Sequence, residues 1–66
     1  DGLRVIRRIV AEAPGLLRSG GTLLMEIGEE QAGLVASLMA AEGFSRIAAR
    51  RDLRGVERFI AGQVGG

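Results

Sequence analysis

The sequence predicts an α/β fold with the element order helix, strand, helix, strand, strand. Two stretches carry apolar residues at three- and four-residue steps, which is the spacing of amphipathic helices. A short, almost wholly apolar run bounded by glycines lies between them and predicts a buried strand. Two further short segments, joined by a turn containing Asp and Gly, predict an antiparallel hairpin. Because a strand–helix–strand unit normally runs parallel, a last strand inserted between its strands would give a mixed sheet with one reversed strand.

The first predicted helix lies near the start of the sequence. Its apolar stripe consists of Leu3, Ile6, Val10, Ala13 and Leu17. We expect Pro14 to kink this helix, or to begin a short second turn over residues 14–18, because proline has no backbone N–H to donate. Gly20 and Gly21 should end it, since glycine readily adopts the left-handed conformation past a helix end.

The glycine-bounded run is Thr22–Ile27, with the sequence TLLMEI. Its length favours a strand over a helix. Its nearly continuous apolar character predicts burial on both faces, as in the interior of a parallel sheet.

The second predicted helix follows an acidic pair, Glu29 and Glu30, which would interact favourably with the positive end of the helix dipole. The residues that repeat with helical spacing are Gln31, Leu34, Val35, Leu38 and Met39. Gly43 should lie just past the helix end, with Phe44 contacting Met39 as in a Schellman cap.

The predicted hairpin follows this helix. We expect a relatively exposed strand over Phe44–Arg51, a turn over Asp52–Gly55, and a last strand over Val56–Gln63. Gly65 and Gly66 are expected to form a tail.

The composition excludes several functions. The 66 residues indicate one domain or less and include neither His nor Cys, so no Ser-His-Asp or Cys-His pair and no zinc site of the usual kind is available. A net charge of +1 and only two aromatic residues are atypical of a nucleic-acid-binding domain. No apolar run approaches the roughly 20 residues of a membrane span. Absence of cysteine fits a cytoplasmic location.

Four segments form a recognisable pattern. They are DGLRVIRRIVAEAPGLLRSGG (residues 1–21), TLLMEIG (residues 22–28) with Gln31 three residues on, AAEGF (residues 40–44) and RRDLRG (residues 50–55). Together they resemble the C-terminal part of the HemK family, whose members methylate the glutamine of peptide-chain release factors. The resemblance implies that residues 1–66 are a single partial domain, the C-terminal part of a Rossmann-like class I methyltransferase sheet with a reversed last strand. It implies S-adenosylmethionine as the parent enzyme's cofactor and a release factor as its partner.

Two motifs of that family have no counterpart here. The glycine-rich cofactor loop is absent, and so is the Asn-Pro-Pro-Tyr motif that holds the substrate amide; the chain has no Asn and one Pro. We therefore predict no catalytic, cofactor-binding or metal-binding residue in this chain. The 66 residues alone should neither bind S-adenosylmethionine nor transfer a methyl group, and their role would be to complete the core and one wall of the parent's pocket.

Two residues are candidates for that wall. Glu26 lies near the carboxyl end of the first strand, the edge at which open α/β sheets bind ligands. The alternative is a carboxylate that pairs with an arginine or points to solvent, which is favoured because an uncompensated buried carboxylate is costly. Gln31 could contact substrate in the parent, although a surface or capping role is favoured. The acidic residues before the second helix argue against a phosphate site there.

A small basic cluster occurs in the hairpin. Arg50, Arg51 and Arg54 surround Asp52 and could contact RNA or the ribosome, but a solvated hairpin is the favoured interpretation.

Two other functions remain open at this stage. The chain could be a fragment of another class I methyltransferase, acting on RNA or a small molecule, or a non-catalytic α/β interaction module. A truncated sheet would leave an unpaired strand edge and an uncovered apolar face at Thr22–Ile27, so we expect self-association of the isolated chain.

Overall fold

A computed structural model describes residues 2–28 and 30–65; Asp1, Glu29 and Gly66 lie outside the described residues. The elements are helix α1 (Gly2–Leu16), strand β1 (Thr22–Glu26), helix α2 (Ala32–Ala41), strand β2 (Ser45–Arg51) and strand β3 (Glu57–Gln63). The predicted α/β order is confirmed. Membership of the Rossmann-like class stays a prediction.

Helix α1 continues through Pro14 to Leu16 as one element. The expected separate turn over residues 14–18 does not form. Pro14 cannot donate to the C=O of the preceding turn, which removes one hydrogen bond of the helix. The Leu17 N–H still donates to the Ala13 C=O (2.9 Å), and the chain stays helical to Leu16. The helix ends at Leu16, so the prediction that Gly20 and Gly21 end it is wrong. Gly20, with a φ of +85°, lies in the turn between α1 and β1.

The three strands form one sheet in the order β1-β3-β2. β3 is antiparallel to both neighbours, so β1 and β2 run in the same direction with the reversed last strand between them. Ile60 at the middle of β3 lies opposite Met25 on one side and Ala49 on the other. The insertion of β3 between the other two strands is the arrangement that the sequence left open.

The prediction that Thr22–Ile27 is buried on both faces is wrong for this chain. Met25 and Ile27 are buried, whereas Leu24 is 62% exposed. Side chains alternate between the faces of a strand, and both helices lie on one face of the sheet. The opposite face is uncovered; we call it the open face.

Helix α2 ends in the predicted Schellman cap. The Phe44 N–H donates to the Met39 C=O (3.0 Å), and the Gly43 N–H donates to the Ala40 C=O (3.0 Å). Gly43 has a φ of +90°, which only glycine adopts without strain. Met39 and Phe44 are both buried in the core.

The hairpin forms as predicted, with two irregularities that the sequence did not reveal. The pairing of β2 with β3 shifts register between Ser45 and Ala48 and again between Arg50 and Arg51. Arg46, in the first of these bulges, has a φ of +52°. Bulges bend a strand and re-aim its side chains.

The core lies between the helices and the sheet. Its buried residues are Val10, Ala13, Met25, Ile27, Val35, Met39, Phe44, Ile60 and Val64. Gly62 of β3 faces this core, where a Cβ atom would come within 2.6 Å of the Met39 Cε and 3.3 Å of the Phe44 ring. The closeness of helix α2 to β3 therefore depends on a residue without a side chain.

Within residues 2–28 and 30–65, neither helix is long and apolar enough to cross a membrane.

Candidate functional site

Glu26 is the last residue of β1, at the strand's carboxyl end. Its side chain is exposed and lies on the open face, opposite Phe59 in the pairing with β3. Phe59 pairs in turn with Arg50 of β2, so a carboxylate, an aromatic ring and a guanidinium occupy one cross-strand row. The exposure of Glu26 agrees with the solvated interpretation of this residue, and its position agrees with the edge where ligands bind in such sheets.

Gln31 closes the loop between β1 and α2. Its side-chain Oε1 accepts a hydrogen bond from the Gly28 N–H (2.7 Å), and its own N–H donates to the Gly28 C=O (3.2 Å). A Cβ atom at Gly28 would lie 3.1 Å from that Oε1, so the closure favours glycine. Gln31 therefore holds the shape of this loop from the N-cap position of α2.

Glu26 and Gln31 lie at the two ends of the same loop but do not form one site. In the described part of the chain they share no hydrogen bond, and the Gln31 side chain bonds to Gly28 instead. Glu30 precedes α2 with a φ of +66°, and Glu29, the other half of the acidic pair, lies outside the described residues. The Gly28 N–H, which a ligand at this loop would use, is occupied by Gln31.

The interior of the described residues is apolar. None of their polar or charged side chains is buried. Nor do these residues contain a cluster of three or more His, Cys, Asp or Glu side chains that could hold a metal ion. The cavity described below lies at the surface of the fold.

Sequence reasoning missed one such surface on the open face. A cavity of about 390 Å³ is lined by Thr22, Leu24, Arg50, Phe59 and Ala61, which come from all three strands. Alternate residues of each strand could be expected to point away from the core. Which of them lie beside each other depends on the strand order, and the sequence did not show that β3 is the middle strand.

The basic cluster of the hairpin is organised by Asp52. Its Oδ1 accepts hydrogen bonds from the Arg54 N–H (2.8 Å) and the Val56 N–H (3.1 Å), and its Oδ2 accepts one from the Arg58 Nε (3.1 Å). The bond from Val56 lowers the pKa of Asp52 most; partial burial opposes it, and Arg54 and Arg58 lower the pKa further. These contacts shape the turn, which supports the interpretation of the cluster as a solvated hairpin.

The chain matches several curated proteins over nearly its whole length. It is 43% identical over 65 residues (98% of this chain) to the release factor glutamine methyltransferase of Coxiella burnetii. It is 48% identical over 63 residues (96%) to that of Pseudomonas aeruginosa, and 42% identical over 66 residues (100%) to that of Burkholderia pseudomallei. The chain is thus related to a segment of methyltransferases.

These relatives are all release factor glutamine methyltransferases, so the resemblance stated from the motifs is confirmed. The chain spans only about a quarter of the length of these relatives, 24% of the Coxiella burnetii protein and 23% of the other two. No family model matches the chain. No solved structure matches it either.

Proposed function

We propose that this chain is the C-terminal part of an S-adenosylmethionine-dependent methyltransferase that modifies the glutamine of a release factor in the cytoplasm. In that enzyme it forms one end of a Rossmann-like sheet and the helices that cover it. Its role is structural, and the 66 residues alone do not catalyse methyl transfer. The observation that carries the proposal is the match of almost the whole chain to a quarter of each relative.

Two features of the fold support a partial domain. Strand β1 lies at the edge of the sheet although its run is nearly all apolar, and the open face exposes Leu24 beside Phe59. Strands with this composition are typical of sheet interiors covered on both faces. The wrong prediction of two-face burial thus has a physical explanation, which is that the remaining neighbours of β1 belong to the rest of the enzyme.

The residues of this chain do not fit a cofactor site. Nucleotide-like cofactors are often bound where a strand leads into a helix, by free N–H groups of a glycine-rich turn. At the described part of the turn from β1 to α2, Gln31 occupies the Gly28 N–H (2.7 Å), and Glu30 adds negative charge beside it. Binding of S-adenosylmethionine is therefore assigned to other parts of the enzyme.

Glu26 and Gln31 would contribute to the wall of the substrate pocket. Glu26 presents an exposed carboxylate at the carboxyl end of β1, and Gln31 fixes the loop that follows it. In this proposal Gln31 acts as a positioning residue for the loop, while Glu26 is the side chain that can face a substrate.

A chimera tests the proposed function. The matching segment of the Pseudomonas aeruginosa relative is replaced by this chain, and transfer of a labelled methyl group from S-adenosylmethionine to a release factor is measured. Because the segment supplies structure and no reacting group, we expect activity within about tenfold of the unmodified relative, a barrier change of about 1.4 kcal/mol. The 66-residue chain alone should transfer none.

The same replacement in the Coxiella burnetii relative is a second test, because poor packing between this chain and the rest of one relative could by itself inactivate a single chimera. Circular dichroism and thermal melting establish that each chimera is folded. If both folded chimeras are inactive, the proposed function is wrong. Methyl transfer by the isolated chain would refute the purely structural role.

A further inference from the structure

The hairpin turn and the loop after β1 lie at the same edge of the sheet. Strands β1 and β2 run in the same direction, so their carboxyl ends meet at one edge, which we call the carboxyl edge. Strand β3 begins at this edge and lies between them. The contacts described below join residues of this chain to one another, so they persist whatever packs against the open face or the outer side of β1.

The second bulge of the hairpin lies at the carboxyl edge. Phe59 pairs with Arg50, and Glu57 pairs with the next residue of β2. Arg58, between these two pairs, is therefore the additional residue of the bulge. Bulges redirect side chains and are frequent beside active sites. Here the Arg58 side chain reaches the hairpin turn, where its Nε donates to the Asp52 Oδ2 (3.1 Å).

The two oxygens of the Asp52 carboxylate serve different parts of the structure. Oδ1 accepts from backbone N–H groups of the turn, and the backbone adds its own closure, since the Asp52 N–H donates to the Val56 C=O (2.8 Å). Oδ2 accepts from Arg58 of the middle strand. The Arg58 and Asp52 side chains are only 32% and 22% exposed, so water screens this charge-assisted bond less than it screens a surface ion pair.

Arg58 also joins β3 to the end of β1. Its C=O accepts from the Ile27 N–H (2.7 Å), one residue beyond the last residue of β1, Glu26. Ile27 is buried, whereas the Glu26 side chain is exposed at the carboxyl edge. A continuous series of contacts therefore runs from Asp52 through Arg58 to the residue that follows Glu26.

We infer that Arg58, held by Asp52, is a positioning residue for Glu26 in the methyl-transfer reaction. The inference rests on the proposed function, in which Glu26 faces the release factor. By fixing the backbone at Ile27, Arg58 keeps the end of β1 in place and with it the Glu26 carboxylate. A displacement of about 1 Å at a reacting or binding group can lower a rate about 10²-fold. Arg58 needs no contact with the substrate for this role.

Asp52→Asn in the chimera with the Pseudomonas aeruginosa relative tests the inference. The Asn amide oxygen can still accept from the turn, but its NH₂ group cannot accept from Arg58. We expect kcat/KM for the release factor to fall about tenfold or more. The loss should appear mainly in the KM for the release factor. The KM for S-adenosylmethionine should not change, because the cofactor is assigned to other parts of the enzyme.

A double-mutant cycle with Glu26→Gln separates positioning from a general loss of structure. If Arg58 acts through the Glu26 carboxylate, Asp52→Asn should change kcat/KM by no more than about twofold once that carboxylate is absent. A general loss of structure would lower kcat/KM by the same factor in both backgrounds. The four proteins are compared at a temperature below the Tm of each, with circular dichroism to verify the fold.

Variants of Arg58 provide a rescue test. Arg58→Met keeps the apolar stem and removes the donor, so it should match Asp52→Asn. Arg58→Lys keeps a positive donor and should restore part of the activity. Ser37→Ala is the matched control, because its hydroxyl bonds to the Gly33 C=O on the exposed surface of α2, and its loss should leave the kinetics unchanged.

Amide hydrogen exchange measured by NMR tests the structural link without reference to activity. Exchange at Ile27 should be faster in the Asp52→Asn chimera than in the unmodified chimera. Unchanged exchange at Ile27 would overturn the inference, as would equal losses of kcat/KM in the two Glu26 backgrounds. These results leave the proposed function intact when the unmodified chimera is active. Folded but inactive unmodified chimeras would contradict the proposed function itself.

Discussion

The Asp52 carboxylate organises the hairpin turn between β2 and β3. It accepts bonds from two backbone N–H groups and from the Arg58 guanidinium. All of these contacts favour the ionised carboxylate, so the pKa of Asp52 lies below its ordinary value of 3.8. The hydrogen bond from the Val56 N–H is the largest cause. The hairpin turn is therefore stabilised by a charge that acid can remove.

The Asp52 contacts predict how stability depends on pH. Because the folded chain binds this proton less tightly than the unfolded chain, the stabilisation is present above the ordinary pKa and is lost as the pH falls through the lower folded pKa. Asp52→Asn should lower the Tm at neutral pH and reduce the further fall in Tm on acidification. Thermal melting between pH 7 and pH 2 measures both effects.

Glu12→Gln is the control for this experiment. Glu12 pairs with Arg8 across one helical turn, and both side chains are well exposed. Such pairs contribute about 0.3–0.5 kcal/mol, so the Tm at neutral pH should change little. An acid-induced fall in Tm that is the same for Asp52→Asn as for the unmodified chain would contradict the assignment.

Residue identities predicted the positions of the candidate site residues but not their contacts. That Glu26 stands at the carboxyl end of a strand follows from sequence periodicity alone. That Gln31 turns its side chain back onto the Gly28 N–H could not be predicted, because it depends on the loop conformation. The open-face cavity was missed because its lining residues are brought together only by strand pairing.

At the scale of elements, a glycine inside helix α2 (Gly33) and a glycine just past its end (Gly43) are expected to respond in opposite directions to alanine. Gly43→Ala places a Cβ at a φ of +90° and should destabilise the chain by about 1–2 kcal/mol. Gly33→Ala lies in the first turn, where a Cβ would meet nothing within 4 Å, and should stabilise it by about 0.4–1 kcal/mol. Urea denaturation at constant m value measures both changes.

If Gly33→Ala lowers the free energy of unfolding, backbone entropy is not the dominant effect in the first turn of this helix. A neutral Gly43→Ala would show that the left-handed cap is not required. The comparison is internally controlled, because both changes add the same methyl group near one helix.

Element order and approximate bounds followed from the sequence, whereas the surroundings of each element did not. Strand β1 illustrates the difference: its apolar run marks a segment able to be buried on both faces, but this chain supplies helices for only one. The bulge at Arg46 has no sequence signal either, since neither glycine nor asparagine occupies the left-handed position. The local sequence pattern therefore predicts the type of element, whereas the burial of that element depends on the segments that pack against it.

At the scale of the whole molecule, the three strands differ in how they are paired. Strand β3 is hydrogen-bonded on both sides, whereas β1 and β2 are each paired on one side within the described residues.

The central position of β3 sets the order in which the sheet can assemble. Thr22 of β1 pairs with Gln63, near the end of β3, so the contacts of β1 and of β2 with β3 can form only after β3 has been synthesised. The strands of the hairpin around Asp52 are adjacent in sequence, whereas β1 and β3 are far apart. Because local contacts form faster than distant ones, we expect the hairpin to close first and the pairing of β1 with β3 to be the last step in the assembly of these three strands.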